Sequence, residues 1–389
     1  MKEEGSVNNI SFLLEKHREL FERIINSKEN SFSLSGFLKK EEEKIINEKM
    51  IVISESLKIN SSIKEIYLES NKIGDEGIKY LSESLKVNSS LKRVNLGHGN
   101  NIRDEGMRYL SKALKINASI IEINLQINKI GDEGIKYLSE SLKVNSSLKS
   151  IDLLSNNIGP QGMKYLSESL KTNSSLKSID LLGNKIGDIG IKYLTESLKL
   201  DSSLNILNLG NNNIGDEGMK FLSESLKTNS SINIIDLRIN NIGDEGIKFL
   251  SESLKTNSSL NQINLYSNSI GDEGMKYLSK SLKINSSLNE INISSNIIGD
   301  EGANYILDCL SFNYSIKIIN LENDSWIKNK NKINEKLENK IKSIVETNKN
   351  NPEKARKRVE ENLKKKRKNI IFSLIVLVKN KKKKFLIFH

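Results

Sequence analysis

Residues 148–156 read LKSIDLLSN, and residues 176–184 read LKSIDLLGN. The same shape returns as LNILNLGNN at 204–212 and LNQINLYSN at 260–268, and it stands earlier as SIKEIYLESN at 62–71. Its closing asparagine recurs at 71, 128, 156, 184, 212, 240, 268 and 296, with a spacing of 28 residues from 128 onward. One extra residue enters the second copy around Gly97-His98-Gly99-Asn100, and Asp324 stands in the tenth. A period of this length marks a stack of small units rather than a conventional domain.

Each unit carries two patterns. Leu148, Ile151 and Leu153 are apolar, and the last two alternate with period two, which predicts a strand. In the stretch 134–142, Ile135, Leu138 and Leu142 fall on one face of a helix. Asp132 is the expected cap of that helix, with Glu133 at the positive end of its dipole. Pro160 takes the same place in the fourth unit, where early helical N–H groups need no partner inside the helix. Asn145-Ser146-Ser147 ends the helix and turns the chain back. The Asn-Ser-Ser junctions match glycosylation acceptors and are read here as turns.

One such unit cannot bury its apolar face alone, whereas a stack buries a continuous core. Strands stack at about 4.8 Å and helices at about 8–10 Å, so strands on one side and helices on the other force a bend. The repeated Asn is expected to satisfy backbone groups of neighbouring turns. The pattern resembles the ribonuclease-inhibitor-like subfamily of leucine-rich repeats. Leu260, Ile263, Leu265 and Asn268 match its strand signature L-x-x-L-x-L-x-x-N, and Gly274, Leu278 and Leu282 match its helical G-x-x-x-L-x-x-x-L. The resemblance covers about residues 60–325 and is shared with repeat regions of NOD-like receptors, tropomodulin and the Ran GTPase-activating protein. It implies an α/β fold: a right-handed leucine-rich-repeat solenoid, or horseshoe, with a parallel sheet on the concave side and helices on the convex side.

The expected organisation has four parts. Residues 1–59 form an N-terminal helical cap with a degenerate repeat. Ile10, Leu13, Leu14, His17, Phe21 and Ile24 make a helical stripe there, Phe32 to Leu38 the strand, and Ser54–Lys58 echoes Ser82–Lys86. Residues 60–324 are the repeats. Residues 325–352 form a C-terminal helical cap on Ile333, Leu337, Ile341, Ile344 and Val345, closed by Pro352. Residues 353–389 are a basic, flexible tail, whose part 353–369 reads as a charged helix or a disordered segment. The net charge of +11 hides an asymmetry: residues 325–389 hold 21 Lys/Arg against 6 Asp/Glu, while the rest is mildly acidic. Such a tail suits peripheral contact with an anionic membrane, or nuclear import through Arg356-Lys357-Arg358 and Lys364–Lys368. The apolar run Ile370–Val378 is too short for a transmembrane span, which takes about twenty residues. A single cysteine and a polar start to the chain favour a reducing compartment, cytoplasmic or nuclear.

Strand positions three, five, seven and eight are expected to face solvent. Position five reads Tyr67, Asn95, Asn124, Asp152, Asp180, Asn208, Asp236, Asn264, Asn292 and Asn320. Glu65, Glu69, Glu122, Glu290 and Glu322 join them against only Arg93 and Arg238. The face is acidic and would steer a basic protein partner. An apolar strip runs through it at Ile127, Leu154, Leu182, Ile206, Ile234 and Ile239, with Ile189 on the rim. Exposed apolar clusters commonly mark an interface; the alternative is drift among near-identical repeats. The candidate partner-binding residues are Tyr67, Arg93, Ile127, Asp152, Leu154, Asp180, Leu182, Asn208, Asp236, Arg238 and Tyr266.

No residue pattern assigns a catalytic site, a metal site or a cofactor. His98 reads as solvated in its expanded turn and Cys309 as core. Asp152 and Asp180 are expected about 5 Å apart on adjacent strands, but an open sheet gives little reason for shifted pKa values. The pI of 9.3 suggests nucleic acid, yet an acidic face leaves only the tail to bind it. The function expected is that of a non-catalytic protein-interaction scaffold. The alternative is a Ran-type activator of a small GTPase, a family that typically carries an acidic segment after its repeats where this chain is basic.

Overall fold

The computed structural model describes residues 10–200, 203–322 and 333–385, with side chains to residue 370. Asp324 and Leu386–Phe388 lie outside the described residues, as do the side chains of the apolar run beyond Ile370. The chain divides into two compact units, Met1–Asn241 and Ile242–His389.

In the first unit, strands β1 (Ser31–Ser33), β2 (Glu65–Tyr67), β3 (Arg93–Asn95), β4 (Glu122–Asn124), β5 (Ser150–Asp152), β6 (Ser178–Asp180), β7 (Ile206–Asn208) and β8 (Ile234–Asp236) pair in parallel, each with the next. Helices α1 (Arg18–Ile25), α2 (Glu43–Ile59), α3 (Gly74–Leu85), α4 (Asp104–Leu114), α5 (Asp132–Leu142), α6 (Pro160–Leu170), α7 (Gly187–Leu198) and α8 (Asp216–Leu226) form the second layer. Strand–helix–parallel-strand repetition makes this an α/β solenoid. Its core is the set the periodicity picks out. Leu148, Ile151, Leu153 and Ile158 from the strand side meet Met163, Leu166 and Leu170 from α6, all of them buried. The strand expected at Phe32–Leu38 is shorter and starts one residue earlier. Leu34 still donates to the Tyr67 carbonyl (2.8 Å), but Gly36 at φ +64° turns the chain away.

Three side-chain ladders join one repeat to the next. The expected one uses the strand-end asparagine. Asn156 Nδ2 donates to the carbonyls of Leu125 and Leu153 (both 3.1 Å), and its Oδ1 accepts the Ile130 N–H (3.0 Å). Asn100, in the expanded second repeat, keeps the pattern by donating to Leu68 and Leu96.

A second ladder runs through the junctions between helix and strand. The asparagine of each Asn-Ser-Ser junction is buried rather than an ordinary surface turn. Asn145 Nδ2 reaches back to the carbonyls of Leu114 (2.8 Å) and Asn117 (3.1 Å), while its Oδ1 accepts from Ser147 and Leu148. It therefore caps the preceding helix's C-terminal carbonyls, which have no partner within their own helix. Asn60 opens this ladder by holding the Ile24 carbonyl of α1 (2.9 Å).

The third ladder corrects the capping expected for Asp132. The N-cap of α5 is Gly131, and no side chain caps that helix from within its own repeat. Asp104 of the previous repeat accepts Gly131 N–H (2.7 Å) and Gly134 N–H (3.0 Å), and Asp132 in turn accepts Gly159 N–H (2.6 Å). Asp132 is already helical, so its carboxylate serves the neighbour rather than the turn behind it. Pro160 breaks the series, and the effect appears one repeat later. Gly187 takes a left-handed φ of +59° and gives its N–H to the Asn212 carbonyl (2.9 Å) instead. Gly74, which also has no such aspartate before it, behaves the same way at +66°. Replacing Asp104 by Ala is expected to cost about 1–2 kcal/mol in urea denaturation. Asp104→Asn, which keeps an acceptor, should cost much less; equal losses would exclude this capping role.

In the second unit, β9 (Gln262–Asn264), β10 (Glu290–Asn292) and β11 (Ile318–Asn320) pair in parallel, with helices α9 (Asp244–Leu254), α10 (Asp272–Leu282) and α11 (Asp300–Leu310). Helix α12 (Glu335–Asn350) follows, with Ile341 and Val345 buried. Asn348 within it is fully buried and donates to the Ile316 carbonyl (2.7 Å), as a further member of the junction ladder. Pro352 starts another helix, α13 (Pro352–Phe385), so residues 353–369 are helical. The first turns of α13 pack rather than hang free. Ala355 and Val359 are buried, and Arg358 Nη2 donates to the carbonyls of Leu310 (3.0 Å) and Asn313 (3.2 Å). No helix among the described residues is long and apolar enough to cross a membrane.

Candidate functional site

The outward face of the first unit's sheet carries ten of the eleven candidate residues. Tyr266 belongs to the second unit, on the turn leaving β9.

Position five has a structural explanation that the sequence reading lacked. Its side-chain oxygen accepts the backbone N–H two residues on: Leu154 on Asp152 (3.0 Å), Leu182 on Asp180 (2.9 Å), Gly210 on Asn208 (3.1 Å), Arg238 on Asp236 (2.9 Å) and, in the second unit, Tyr266 on Asn264 (3.0 Å). This Asx turn bends the chain out of the strand. It explains why the column is almost all Asp or Asn, and an amide serves as well as a carboxylate. What the turn does not ask for is negative charge, and Asp152, Asp180 and Asp236 carry it.

The charges on this face differ in how well they are compensated. Arg93 lies between Glu65 and Glu122, ion-paired to both, at 3.0 Å from Glu122. Tyr67 donates its hydroxyl to Glu65 (3.0 Å). Tyr67 and Arg93 are thus engaged within the sheet. Arg238 lies 3.4 Å from Asp236. Asp152 and Asp180 sit opposite each other on β5 and β6 and make no ion pair among the described residues. Asp180 accepts Asn208 Nδ2 at 2.8 Å.

The expectation of ordinary pKa values on an open sheet fails at Asp152. Burial raises its carboxyl above the usual range, the Leu154 N–H opposes the rise, and the Asp180 charge adds to it. An acid whose folded pKa is raised binds its proton more tightly in the folded state. Its contribution to stability is therefore lost as pH climbs from the unfolded to the folded pKa, and it remains unfavourable at neutral pH. Asp152→Asn keeps the turn acceptor, so it should raise the melting temperature at pH 7 and have little effect below pH 3. A lowered melting temperature at pH 7 would contradict this.

The apolar strip is present. Ile127, Ile206 and Ile239 are 41%, 38% and 46% exposed, and Leu154, Leu182 and Ile234 are half-buried. Ile127 and Ile239 also carry left-handed φ values of +53° and +54°, which are strained for a β-branched residue. Ser155, Gly183 and Asn211 hold the same place with positive φ in neighbouring repeats. Neither packing nor backbone geometry asks for isoleucine there. Ile239→Gly is expected to stabilise the fold by about 1 kcal/mol, measured by thermal unfolding; destabilisation would show that Ile239 packs usefully in the free protein.

The helix face contrasts with this. Its charges are mostly paired three residues apart, as Lys136 with Glu133 (3.0 Å). Its lysines also lie over aromatic rings of the next repeat, Lys136 over Tyr165 at 5.6 Å and Lys192 over Phe221 at 5.6 Å. The recurring Lys-Tyr or Lys-Phe pair signals this ladder in the sequence. Cys309 is fully buried, its thiol pushed up to about 12 by desolvation. His17 is half-buried and contacts Glu48 at 3.3 Å between α1 and α2. Among the described residues, no group of three His, Cys, Asp or Glu side chains is placed to hold a metal.

Nine segments match a family model described as Leucine Rich repeat: residues 60–82, 87–111, 117–139, 144–167, 172–194, 201–223, 228–251, 256–279 and 285–307. Together they cover more than half of the chain. No curated protein matches it. Among solved structures, leiomodin-1 actin-binding site 2 is 17% identical, over 45% of this chain and 95% of that one, with a TM-score of 0.33. The tropomodulin C-terminal domain of Caenorhabditis elegans is 19% identical, over 41% of this chain and 92% of that one, at 0.35. A chain of the yeast Rad7–Elc1 complex is 15% identical, over 86% of this chain and 85% of that one, at 0.43.

Proposed function

Because the chain belongs to the leucine-rich-repeat family, we propose that it is a non-catalytic interaction scaffold whose partner is a protein with a basic surface, bound on the outward sheet face of the first unit. One observation carries the proposal. Aliphatic residues are held exposed and strained at Ile127 and Ile239, on the face that bears Asp152 and Asp180 without an ion-pair partner. Residues kept at a cost to the free protein are accounted for when a partner covers them. Uncompensated carboxylates raise the association rate of a basic partner and make it salt-dependent.

The test is affinity capture with the full chain, followed by titration of the recovered partner against the parent and an Asp152→Asn/Asp180→Asn variant. Both variant residues keep the turn acceptor. Slower association with a shallower salt dependence is expected; identical kinetics would remove the sheet face from the interaction. Binding of a small GTPase would open the activator alternative. In that case single-turnover GTP hydrolysis by Ran should proceed at its own rate with the chain present, and acceleration would replace the scaffold reading.

A further inference from the structure

We propose that the edge of the first unit where its helices end is a peripheral contact surface for an anionic membrane. At the end of each helix the sequence places one residue between a lysine and the junction residue, which is an asparagine except at Asp201. In five repeats of this unit that residue is Ile59, Val87, Ile116, Val144 or Leu200, and each is 63–65% exposed. Equivalent positions in a stack of repeats form a row, so Ile59, Val87, Ile116 and Val144 make a protruding apolar ridge in four consecutive repeats, and Thr172 separates it from Leu200.

Nothing in the fold requires them to be apolar. The turn is held by backbone bonds, Val87 N–H to Ser84 and Val144 N–H to Ser141 (both 3.1 Å). Thr172 makes the same bond to Ser169 (3.2 Å) in its own repeat. A polar residue therefore serves the turn equally well.

The ridge is bordered by positive charge. The lysines directly before it are mostly compensated, as Lys58 by Glu55 and Lys86 by Glu83. A second row, Lys64, Lys92, Lys149 and Lys177, lies on the other side of the same turns and makes no ion pair among the described residues. Lys64 and Lys177 only reach the backbone carbonyls of Ser61 and Ser174.

Protruding aliphatic side chains beside uncompensated lysines suit a lipid surface better than an acidic protein. A protein would have to present a socket for each protrusion, because interface energy concentrates in well-packed pockets. A bilayer accepts aliphatic chains without shape complementarity, and its anionic headgroups attract lysines near the surface. No aromatic or arginine anchor stands in the ridge.

The experiment is co-sedimentation of the full chain with phosphatidylcholine vesicles, with and without phosphatidylserine. Binding should require phosphatidylserine and weaken with salt. Ile59→Thr, Val87→Thr, Ile116→Thr and Val144→Thr combined should lower partition by roughly tenfold or more through lost apolar insertion, with melting unchanged because threonine is native to this turn. Parent-like binding by that variant, abolished by serine at Lys381–Lys384, would overturn the proposal and assign the contact to the tail. Failure of the parent to bind either vesicle, or equal capture of the parent and the variant by a poly-glutamate resin with no vesicle binding, would also overturn it.

Discussion

Replacing Asn156 by Ala is expected to destabilise the array by about 2–4 kcal/mol, because the buried Ile130 N–H loses its partner at roughly 1–3 kcal/mol and the Leu125 and Leu153 carbonyls, also held by Asn128 and Asn184, each lose one of two donors. The amide donates to Leu125 and Leu153 and accepts from Ile130, so two of these contacts, to Leu125 and Ile130, lie at the joint between two repeats. Asn156→Asp should be at least as damaging, since a carboxylate cannot donate to either carbonyl. The neighbouring Asn157 is exposed, and Asn157→Ala should stay within about 0.5 kcal/mol, as surface changes usually do. In a repeat protein stability is carried by nearest-neighbour contacts. The loss should therefore be local. Urea denaturation should show a lower midpoint, and hydrogen exchange should show the amides around 120–160 losing protection first. A loss below about 1 kcal/mol, within the range of a single exposed contact, would mean that the asparagine ladder is incidental.

Changing Leu154 and Leu182 to Asp together is expected to weaken the partner's Kd by roughly ten- to a hundredfold, while folding survives. Each leucine is half-buried on the free surface, and a partner that completed its burial would gain about 0.8–1.5 kcal/mol from each, half of what burying a whole side chain gives. Two such losses amount to roughly ten- to a hundredfold, at 1.4 kcal/mol per factor of ten. The added carboxylates lie beside Asp152 and Asp180 and should favour the approach of a basic partner. The association rate should therefore hold or rise, and the whole loss should appear in dissociation. Surface plasmon resonance separates the two. An unchanged dissociation rate in a variant with normal melting would remove the apolar strip from the interface.

The repeat architecture could be read from sequence because 28-residue periodicity, strand alternation and the helical stripe all agree on one packing. The features that were missed share a cause: they depend on the neighbouring repeat, whereas the sequence was read one unit at a time. Asp132 looks like a cap for its own helix, but stacking brings it to the next one, and only the change at Gly187 after Pro160 reveals the partner. The Asn-Ser-Ser junction looks like a turn, yet its asparagine is more constant than a turn requires, and that constancy was the available signal for the second ladder. At position five the Asp/Asn column reads as an acidic face; most of that preference is an Asx turn, leaving Asp152, Asp180 and Asp236 as the charges that geometry does not demand. The strain at Ile127 and Ile239 could not be read at all, because backbone sign at a strand end is invisible to hydrophobic patterning. The apolar ridge at Ile59, Val87, Ile116 and Val144 escaped because it lies at or just beyond the end of each helix, at the edge of the window in which helical periodicity is sought.

Site-specific photo-cross-linking on the full chain addresses the proposed interface most directly. A photoreactive residue at Leu182, on the sheet face, should capture the partner in high yield, and one at Lys164, on the helix layer, should capture none. Capture from position 164 with silence at 182 would place the partner on the opposite face and contradict the account.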